Sequence, residues 1–417
     1  MKKILSIITI FLLIICCFTV QSEAYKKQNS NNKINDLFFD QKISFFMKIA
    51  KFPSLSACII EGDEVTWSNY YGYYDLENNK PVSEDTIYNV GSISKTITGT
   101  AIMQLWEKGL FNLDEDVNNY LPFSLRNPNF PDVPITFRML LSHSSSLYPE
   151  SGLEGVQYYY WFNFSEDPPF EGYPYPWLEE HLVPGGNCYY PQRWSDYYKP
   201  GEYNMYANVN FDIIAYLVEI ISGESFLDYC DKYIFQPLEM YDTSFNLSEL
   251  DIDNVAIPYH YHNGEYLQIN ELSYMLGGFT PSDKYWRVHM YPAGGLYTTV
   301  SDLSHFFICF MNNGIYNDIR IIEEDTLIEM KKIQPPGNDF GGEYYGLGCA
   351  VNVTFPFNKE GLYGKSGGVF GVFAMMWYRY SDEKGVIFFT NGDIMAERYG
   401  MITQLIAFLL CASLFNK

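Results

Sequence analysis

The sequence predicts an α/β fold of the α+β kind, in which an antiparallel sheet is flanked by helices and a mainly helical region is inserted between its two halves. Three observations carry this. Leu55–Ile60 and Val65–Tyr70 are β-rich runs separated by Glu61-Gly62-Asp63-Glu64, which reads as a hairpin with glycine in the turn. Val372–Tyr380 and Val386–Thr390, separated by Asp382-Glu383-Lys384-Gly385, repeat the pattern near the other end. Between the two pairs the apolar period becomes helical.

Taken in order, the chain begins as an exported one. Lys2 and Lys3 precede an apolar run from Ile4 to Val20, and Ser22-Glu23-Ala24 offers a peptidase small residues, so residues 1–24 read as a signal peptide cleaved after Ala24. An uncleaved membrane anchor is the alternative; both put the body outside the cytosol, secreted or extracytoplasmic. Residues 25–36 form a polar, Asn-rich leader, and the folded body occupies 37–417, opening on a helix near Leu37. Sheet is expected from 37–90 and 290–417, with the mainly helical region at 91–289.

Within that region Ile97, Ala101, Ile102 and Leu105 share one face of a helix that stops at Gly109, and Phe211, Ile214, Leu217, Val218 and Ile221 do the same before Ser222-Gly223. A third helix is expected over Asp302–Met311, with Ser301 as its N-cap and Asn313-Gly314 as its stop. The segment from Ala396 to Phe415 is apolar, but Glu397 and Arg398 shorten it, so it reads as a buried helix laid on the sheet. The tract from Tyr148 to Pro200, with Tyr158-Tyr159-Tyr160-Trp161-Phe162 and no clean period, reads as a long ordered loop or lid over the cleft.

Composition narrows the function. With 47% hydrophobic and 18% charged residues over 417 positions the chain can bury a catalytic core. Its 27 Lys+Arg against 50 Asp+Glu repel a phosphate backbone, which argues against nucleic-acid binding. Beyond the leader lie Cys58, Cys188, Cys230, Cys309, Cys349 and Cys411. An oxidising compartment permits disulfides, yet their wide spread and the apolar helical setting of Cys309 and Cys411 favour free thiols, with one or two bridges at most. Asn163, Asn246 and Asn352 open glycosylation sequons.

Three short motifs carry chemistry. Ser92-Ile93-Ser94-Lys95 has the S-x-x-K form, which sets a hydroxyl and an ammonium one helical turn apart, with the serine at a helix start where orphan amides favour negative charge on its oxygen. Tyr206-Ala207-Asn208 lies in a loop between Pro200-Gly201 and a helix; a tyrosine beside lysines can have its pKa lowered, and the asparagine amide can bond a carbonyl. Lys365-Ser366-Gly367-Gly368 leads into the C-terminal strands, where paired glycines admit a close backbone or ligand and a strand N–H can serve an oxyanion. Each motif alone has an ordinary structural reading: a surface helix start, a half-buried turn tyrosine, a turn before a strand.

Together, and in this order, they resemble the class C β-lactamase, penicillin-binding-protein and esterase superfamily. The resemblance runs through Asn89–Leu121, Ile135–Leu147, Pro200–Gly223, Ile234–Phe245, Pro292–Leu303 and Tyr363–Gly371. It implies a β-lactamase/D,D-peptidase-like fold and a serine hydrolase that works through an acyl-enzyme. Ser92 would be the nucleophile, with Lys95 and Tyr206 handling its proton and either able to act as the base. Asn208, Lys365 and Ser366 would bind substrate, and the backbone N–H groups of Ser92 and Gly368 would form the oxyanion hole. One departure stands out: Ser146 occupies the place where the family's His-Thr-Ser-Gly-Leu segment has glycine. Lysine at 365, where many esterase-like relatives carry histidine, leans the substrate toward one bearing an anion.

No cofactor and no metal is implied. His260 and His262 are a close pair without the further ligands of a zinc hydrolase, and His143 reads as structural. The partner is a small-molecule, peptide or ester substrate, and the sequence specifies no oligomeric state. The competing reading is a catalytically inactive binding or scaffold protein on the same fold.

Overall fold

A computed structural model describes residues 32–148, 167–168, 173–271, 284–337, 344–355, 358–393 and 400–417. Helix α1 (Asn32–Ala50) leads into the hairpin β1 (Ser54–Glu61) and β2 (Glu64–Asp75), followed by the short β3 (Lys80–Pro81) and β4 (Tyr88–Asn89). The inserted region contains α2 (Ser94–Glu107), α3 (Val209–Ser222) and the hairpin β5 (Tyr259–His262) and β6 (Glu265–Gln268). The chain returns through β7 (Tyr297–Thr298) and α4 (Val300–Met311). It then forms β8 (Tyr344–Tyr345), β9 (Ala350–Phe355), β10 (Asn358–Val369), β11 (Val372–Arg379) and β12 (Lys384–Thr390), and closes with α5 (Gly400–Phe415).

Eight strands make one sheet in the order β8-β9-β10-β11-β12-β1-β2-β3. Every neighbouring pair is antiparallel. The two hairpins expected from the sequence meet at its centre, where Ser56 pairs with Phe389 and Cys58 with Ile387. Period-2 geometry then sorts the central side chains onto two faces. Leu55, Ala57, Ile59, Phe373, Met375, Trp377 and Phe388 pack outward against Ile43, Phe46 and Met47 of α1 and Ile406, Leu410 and Leu414 of α5. Cys58, Ile60, Ala374, Met376, Ile387 and Phe389 face inward, toward a larger core shared with α2, α3 and α4. Helices covering both faces explain why these strands read as nearly continuous apolar runs.

Several expectations need correction. The first helix begins at Asn32, inside the stretch read as polar leader, and the β5–β6 hairpin lies in the region read as mainly helical. Helix α4 starts at Val300 and is capped by Thr299, whose Oγ1 accepts the Asp302 N–H at 3.0 Å, so Ser301 is a first-turn residue. Lys365–Gly368 does not lead into a strand but lies on one, β10. All six cysteines beyond the leader are free thiols, and burial pushes Cys58, Cys309 and Cys349 up to about 12. No helix among the described residues is long and apolar enough to cross a membrane. The proposed signal peptide, Tyr158–Phe162 and Asn163 lie outside the described residues.

Candidate active site

The site forms where a tight turn at the head of α2 meets β10. Residues Gly91–Ile93 make one 3₁₀ turn before α2, so Ser92 stands at the mouth of the helix and Lys95 one turn inside it. The turn is fixed by its own side chains. Asn89 Oδ1 accepts the Gly91 N–H at 3.0 Å, and Ser94 Oγ donates to the Gly91 carbonyl at 2.6 Å while accepting the Leu296 N–H at 3.0 Å. Local hydrogen bonds of this kind hold a backbone that helix geometry alone would leave unsatisfied.

Two glycines allow β10 to close on this turn. Gly91 has φ +51°, and a Cβ there would stand 2.8 Å from the Gly368 nitrogen. A Cβ on Gly367 would enter the Val90 carbonyl oxygen and approach the Ser92 nitrogen to 2.8 Å. The Ser92 and Gly368 backbones are thereby neighbours although β10 comes from the far end of the chain.

The Ser92 oxygen is the meeting point of the first two motifs. Lys95 Nζ donates to Ser92 Oγ at 3.1 Å and to the Ala293 carbonyl at 2.6 Å. The Tyr206 hydroxyl donates to the same Oγ at 2.7 Å. The third motif joins through charge: Lys365 Nζ lies 4.7 Å and Lys95 Nζ 4.9 Å from the Tyr206 ring centroid. Burial pushes the Tyr206 phenol up, but Lys365, then Lys95, and the hydrogen bonds shared with Lys95 and Ser92 together bring it below its ordinary 10.0. Such a tyrosine can give up and take back a proton near the serine.

Asn208 is the residue from which α3 springs; its carbonyl accepts the Phe211 N–H at 2.8 Å, and it borders the cleft beside Ser92. Ser366 is half-buried on β10 opposite Met375, on the pleat that alternates with that of Lys365, and among the described residues no side-chain hydrogen bond joins it to Ser92, Lys95 or Tyr206. Gly368 lines the cleft together with Asn89, Gly91, Ser92, Ala293 and Gly294, and Trp286, Val288, Met290 and Val369 supply an apolar wall. The cleft encloses about 70 Å³.

Two contributors were not legible in the sequence. The Ala293 carbonyl, the partner of Lys95, is a backbone atom, and no side-chain pattern announces it. His143, read as structural, lies against Tyr206 with ring centroids 4.4 Å apart and accepts the Ala207 N–H at Nδ1 across 3.2 Å. Burial, with Lys365 and Lys95 adding to it, holds His143 well below 6.5, so it is the neutral acceptor that this bond requires. Its carbonyl accepts the Met205 N–H at 2.6 Å, and the Tyr206 loop is therefore gripped on both sides of the tyrosine. Ser146 adopts φ +67°, the conformation a glycine would take there, and its Oγ accepts from Asn127 Nδ2 at 3.0 Å.

The paired histidines lead elsewhere. His260 Nδ1 lies 2.8 Å from Asp393, whereas His262 bonds Asn263. Among the described residues no group of three His, Cys, Asp or Glu side chains is arranged to hold a metal. Of the tract read as a lid, Tyr173, Leu178, Leu182 and Trp194 are buried in the core, whereas Tyr175, Tyr197 and Tyr198 are exposed; Trp194 Nε1 donates to the Leu182 carbonyl at 3.1 Å.

Comparison with known proteins gives a consistent answer. Residues 39–410 match the family model described as Beta-lactamase. Penicillin-binding protein 4* of Bacillus subtilis is 28% identical over 217 residues, which are 51% of this chain and 43% of that protein. Protein flp of Staphylococcus aureus is 25% identical over 279 residues, 64% of this chain and 47% of that one. The chain spans about half the length of the curated relatives it matches. Among solved structures, an octameric penicillin-binding protein homologue from Pyrococcus abyssi aligns with TM-score 0.64 and 26% identity, covering 89% of this chain and 76% of that one. The hydrolase EstCE1, with promiscuous acyltransferase activity, aligns with TM-score 0.70 at 20% identity, over 92% of this chain and 100% of its own. D-amino acid amidase from Ochrobactrum anthropi aligns with TM-score 0.67 at 18% identity, over 91% and 99%. These last two show likeness of fold.

Proposed function

The chain belongs to the β-lactamase family, and from that membership we propose that it is an exported serine hydrolase that cleaves an amide or ester through an acyl-enzyme on Ser92. The observation that carries the proposal is the convergence of Tyr206 at 2.7 Å and Lys95 at 3.1 Å on one serine oxygen beside the Gly368 backbone. Export rests on Lys2, Lys3, the apolar run to Val20 and the Ser22-Glu23-Ala24 site.

Lys95 donates to the Ala293 carbonyl, a role suited to a charged ammonium, and the lowered phenol of Tyr206 is then the natural base. As the phenolate, Tyr206 takes the Ser92 proton, and Oγ attacks the substrate carbonyl. The oxyanion formed is held by the N–H groups of Ser92 and Gly368. Tyr206 returns its proton to the leaving amine or alkoxide as the scissile bond breaks, leaving the ester on Ser92. Water, deprotonated by the same group, then attacks that ester; as the C–Oγ bond breaks, Tyr206 gives the proton to Ser92 Oγ and the acid product leaves.

Asn208 serves to orient the substrate carbonyl side, and Lys365, with Ser366 beside it on β10, to receive an anionic group. The β-lactam, D-amino-acid peptide and ester classes all offer the carbonyl this chemistry requires; one relative is named a penicillin-binding protein, and two proteins of like fold a D-amino acid amidase and a hydrolase with promiscuous acyltransferase activity. Intact-mass spectrometry with a penicillin, a D-Ala-D-Ala peptide and a fluorophosphonate tests the proposal. An adduct that maps to Ser92 and vanishes in Ser92→Ala is expected; a folded protein that no acylating probe modifies is a scaffold instead. N-terminal sequencing of the natural protein should begin near Tyr25.

A further inference from the structure

The turn that follows Gly368 is held from outside the sheet at two points. The Phe370 carbonyl accepts the Trp286 indole N–H at 2.8 Å, and the Gly371 N–H donates to Asp393 Oδ2 at 2.6 Å. The same Oδ2 lies 2.8 Å from His260 Nδ1, and the His260 and Asp393 side chains are 0% and 1% exposed. A carboxylate sealed from water persists only when donors fill its acceptor sites. Asp393 Oδ2, which accepts the Gly371 N–H, is placed to accept a second hydrogen bond from His260 Nδ1–H.

His260 reaches this place on the β5–β6 hairpin, which docks tightly here. The Tyr259 N–H donates to the Asn391 carbonyl at 2.8 Å, and a Cβ on Gly371 would come within 2.6 Å of Pro258 Cβ and of the Tyr259 nitrogen. The Phe370 ring meets the His260 ring edge-on at 5.5 Å. Hairpin, turn and the end of β12 therefore form one joint, and the strand leaving it carries Val369 and Gly368 into the cleft.

We propose that Asp393, oriented by His260, is a positioning residue for the oxyanion-binding strand: it pins the β10–β11 turn at Gly371, so that the Gly368 N–H keeps its place beside that of Ser92. This rests on the reading of Ser92 and Gly368 as oxyanion donors. A donor aimed at charge that develops only in the transition state acts on kcat and leaves substrate affinity almost untouched, and its value falls steeply when its aim drifts.

The test compares His260→Phe, which keeps a ring and removes the donor, with His260→Asn, whose amide N–H can stand where Nδ1–H stood. Asp393→Leu and Asp393→Asn form the matching pair, since the contacts with Gly371 and His260 end on one oxygen, Oδ2, that the amide can supply. Below the melting temperature of each variant, steady-state kinetics on a chromogenic β-lactam or ester and the rate of fluorophosphonate acylation are measured, with hydrogen–deuterium exchange of the peptide spanning 366–371. His260→Phe and Asp393→Leu should lower kcat and acylation at least tenfold with KM within about twofold, and should speed exchange at Gly371 at least tenfold; the amide variants should recover most of both. Unchanged exchange, kcat within twofold of wild type, or a loss confined to KM overturns the proposal. If Asp393→Leu does not fold, the ranking of His260→Asn over His260→Phe decides it. A wild-type protein that no probe acylates defeats the hydrolase reading instead, and the exchange data still decide whether the clamp exists.

Discussion

The ammonium of Lys365 stands 4.7 Å from the centroid of the Tyr206 ring, with Lys95 also close at 4.9 Å. A phenol flanked by two cations in a partly dry site favours its charged form, and the charged form is the base that the proposed reaction needs.

The first prediction follows from the sign of that effect. Burial works against the phenolate while Lys365, then Lys95, favour it, so removing Lys365 must raise the pH at which Tyr206 becomes a base. In Lys365→Met the acidic limb of kcat/KM for a neutral ester should move upward by about two to three pH units, the scale set by one charge at this range in a dielectric near 20. Substrates with a carboxylate should lose more in KM than neutral ones. Tyr206→Phe should slow acylation by roughly a hundredfold or more without abolishing it. Unshifted pH profiles in Lys365→Met would sever the link.

Gly91 offers a steric test. In Gly91→Ala the new methyl meets the Gly368 nitrogen at 2.8 Å, at a φ of +51° that costs an alanine about 1–2 kcal/mol. The expected result is a melting temperature lowered by several degrees and kcat reduced at least tenfold, because β10 must retreat from Ser92. Full activity in a stably folded Gly91→Ala would mean that the strand's close approach is irrelevant to turnover.

Ser146 separates backbone strain from hydrogen bonding. Both Ser146→Gly and Ser146→Ala lose the Asn127 hydrogen bond, but only glycine relaxes at φ +67°. Denaturant unfolding should find the alanine variant less stable than the glycine variant by about 1 kcal/mol. Equal stabilities would show that the left-handed conformation costs nothing here.

His143 makes stability depend on pH. Buried beside two lysines, it stays neutral in the native protein, whereas an unfolded imidazole with pKa near 6.5 takes up a proton. Below that pH unfolding binds the proton, so this group's contribution to stability declines by about 1.4 kcal/mol per pH unit as pH falls from 6.5 toward its native value. His143→Asn, which keeps an acceptor for the Ala207 N–H and suits the φ of +58°, should flatten the unfolding free energy between pH 6.5 and 5 relative to wild type. Parallel curves for the two proteins would assign the acid sensitivity to other groups.

What the sequence by itself determined is local. The S-x-x-K spacing placed Ser92 and Lys95 on one helical face, because 3.6 residues per turn brings positions three apart together. The nearly continuous apolar run of Val372–Tyr380 and the glycine-bounded turns marked the central strands, and the order of the motifs pointed to the family. The central apolar strands were legible because both their faces are buried. Strand β10 was not, since NKEGLYGKSGGV has neither alternation nor β-branched content until Val369; pairing with β9 and β11 supplies the order that its own residues do not. The tertiary structure alone decided that Tyr206, 114 residues from Ser92, donates to it, and that the acceptor for Lys95 is a carbonyl 198 residues away. Packing of the Gly91–Ile93 turn against β10 and of His143 against Tyr206 also set which groups share a desolvated space. The pKa of a phenol answers to the charges within a few ångströms of it, and those distances exist only once the chain has closed on itself.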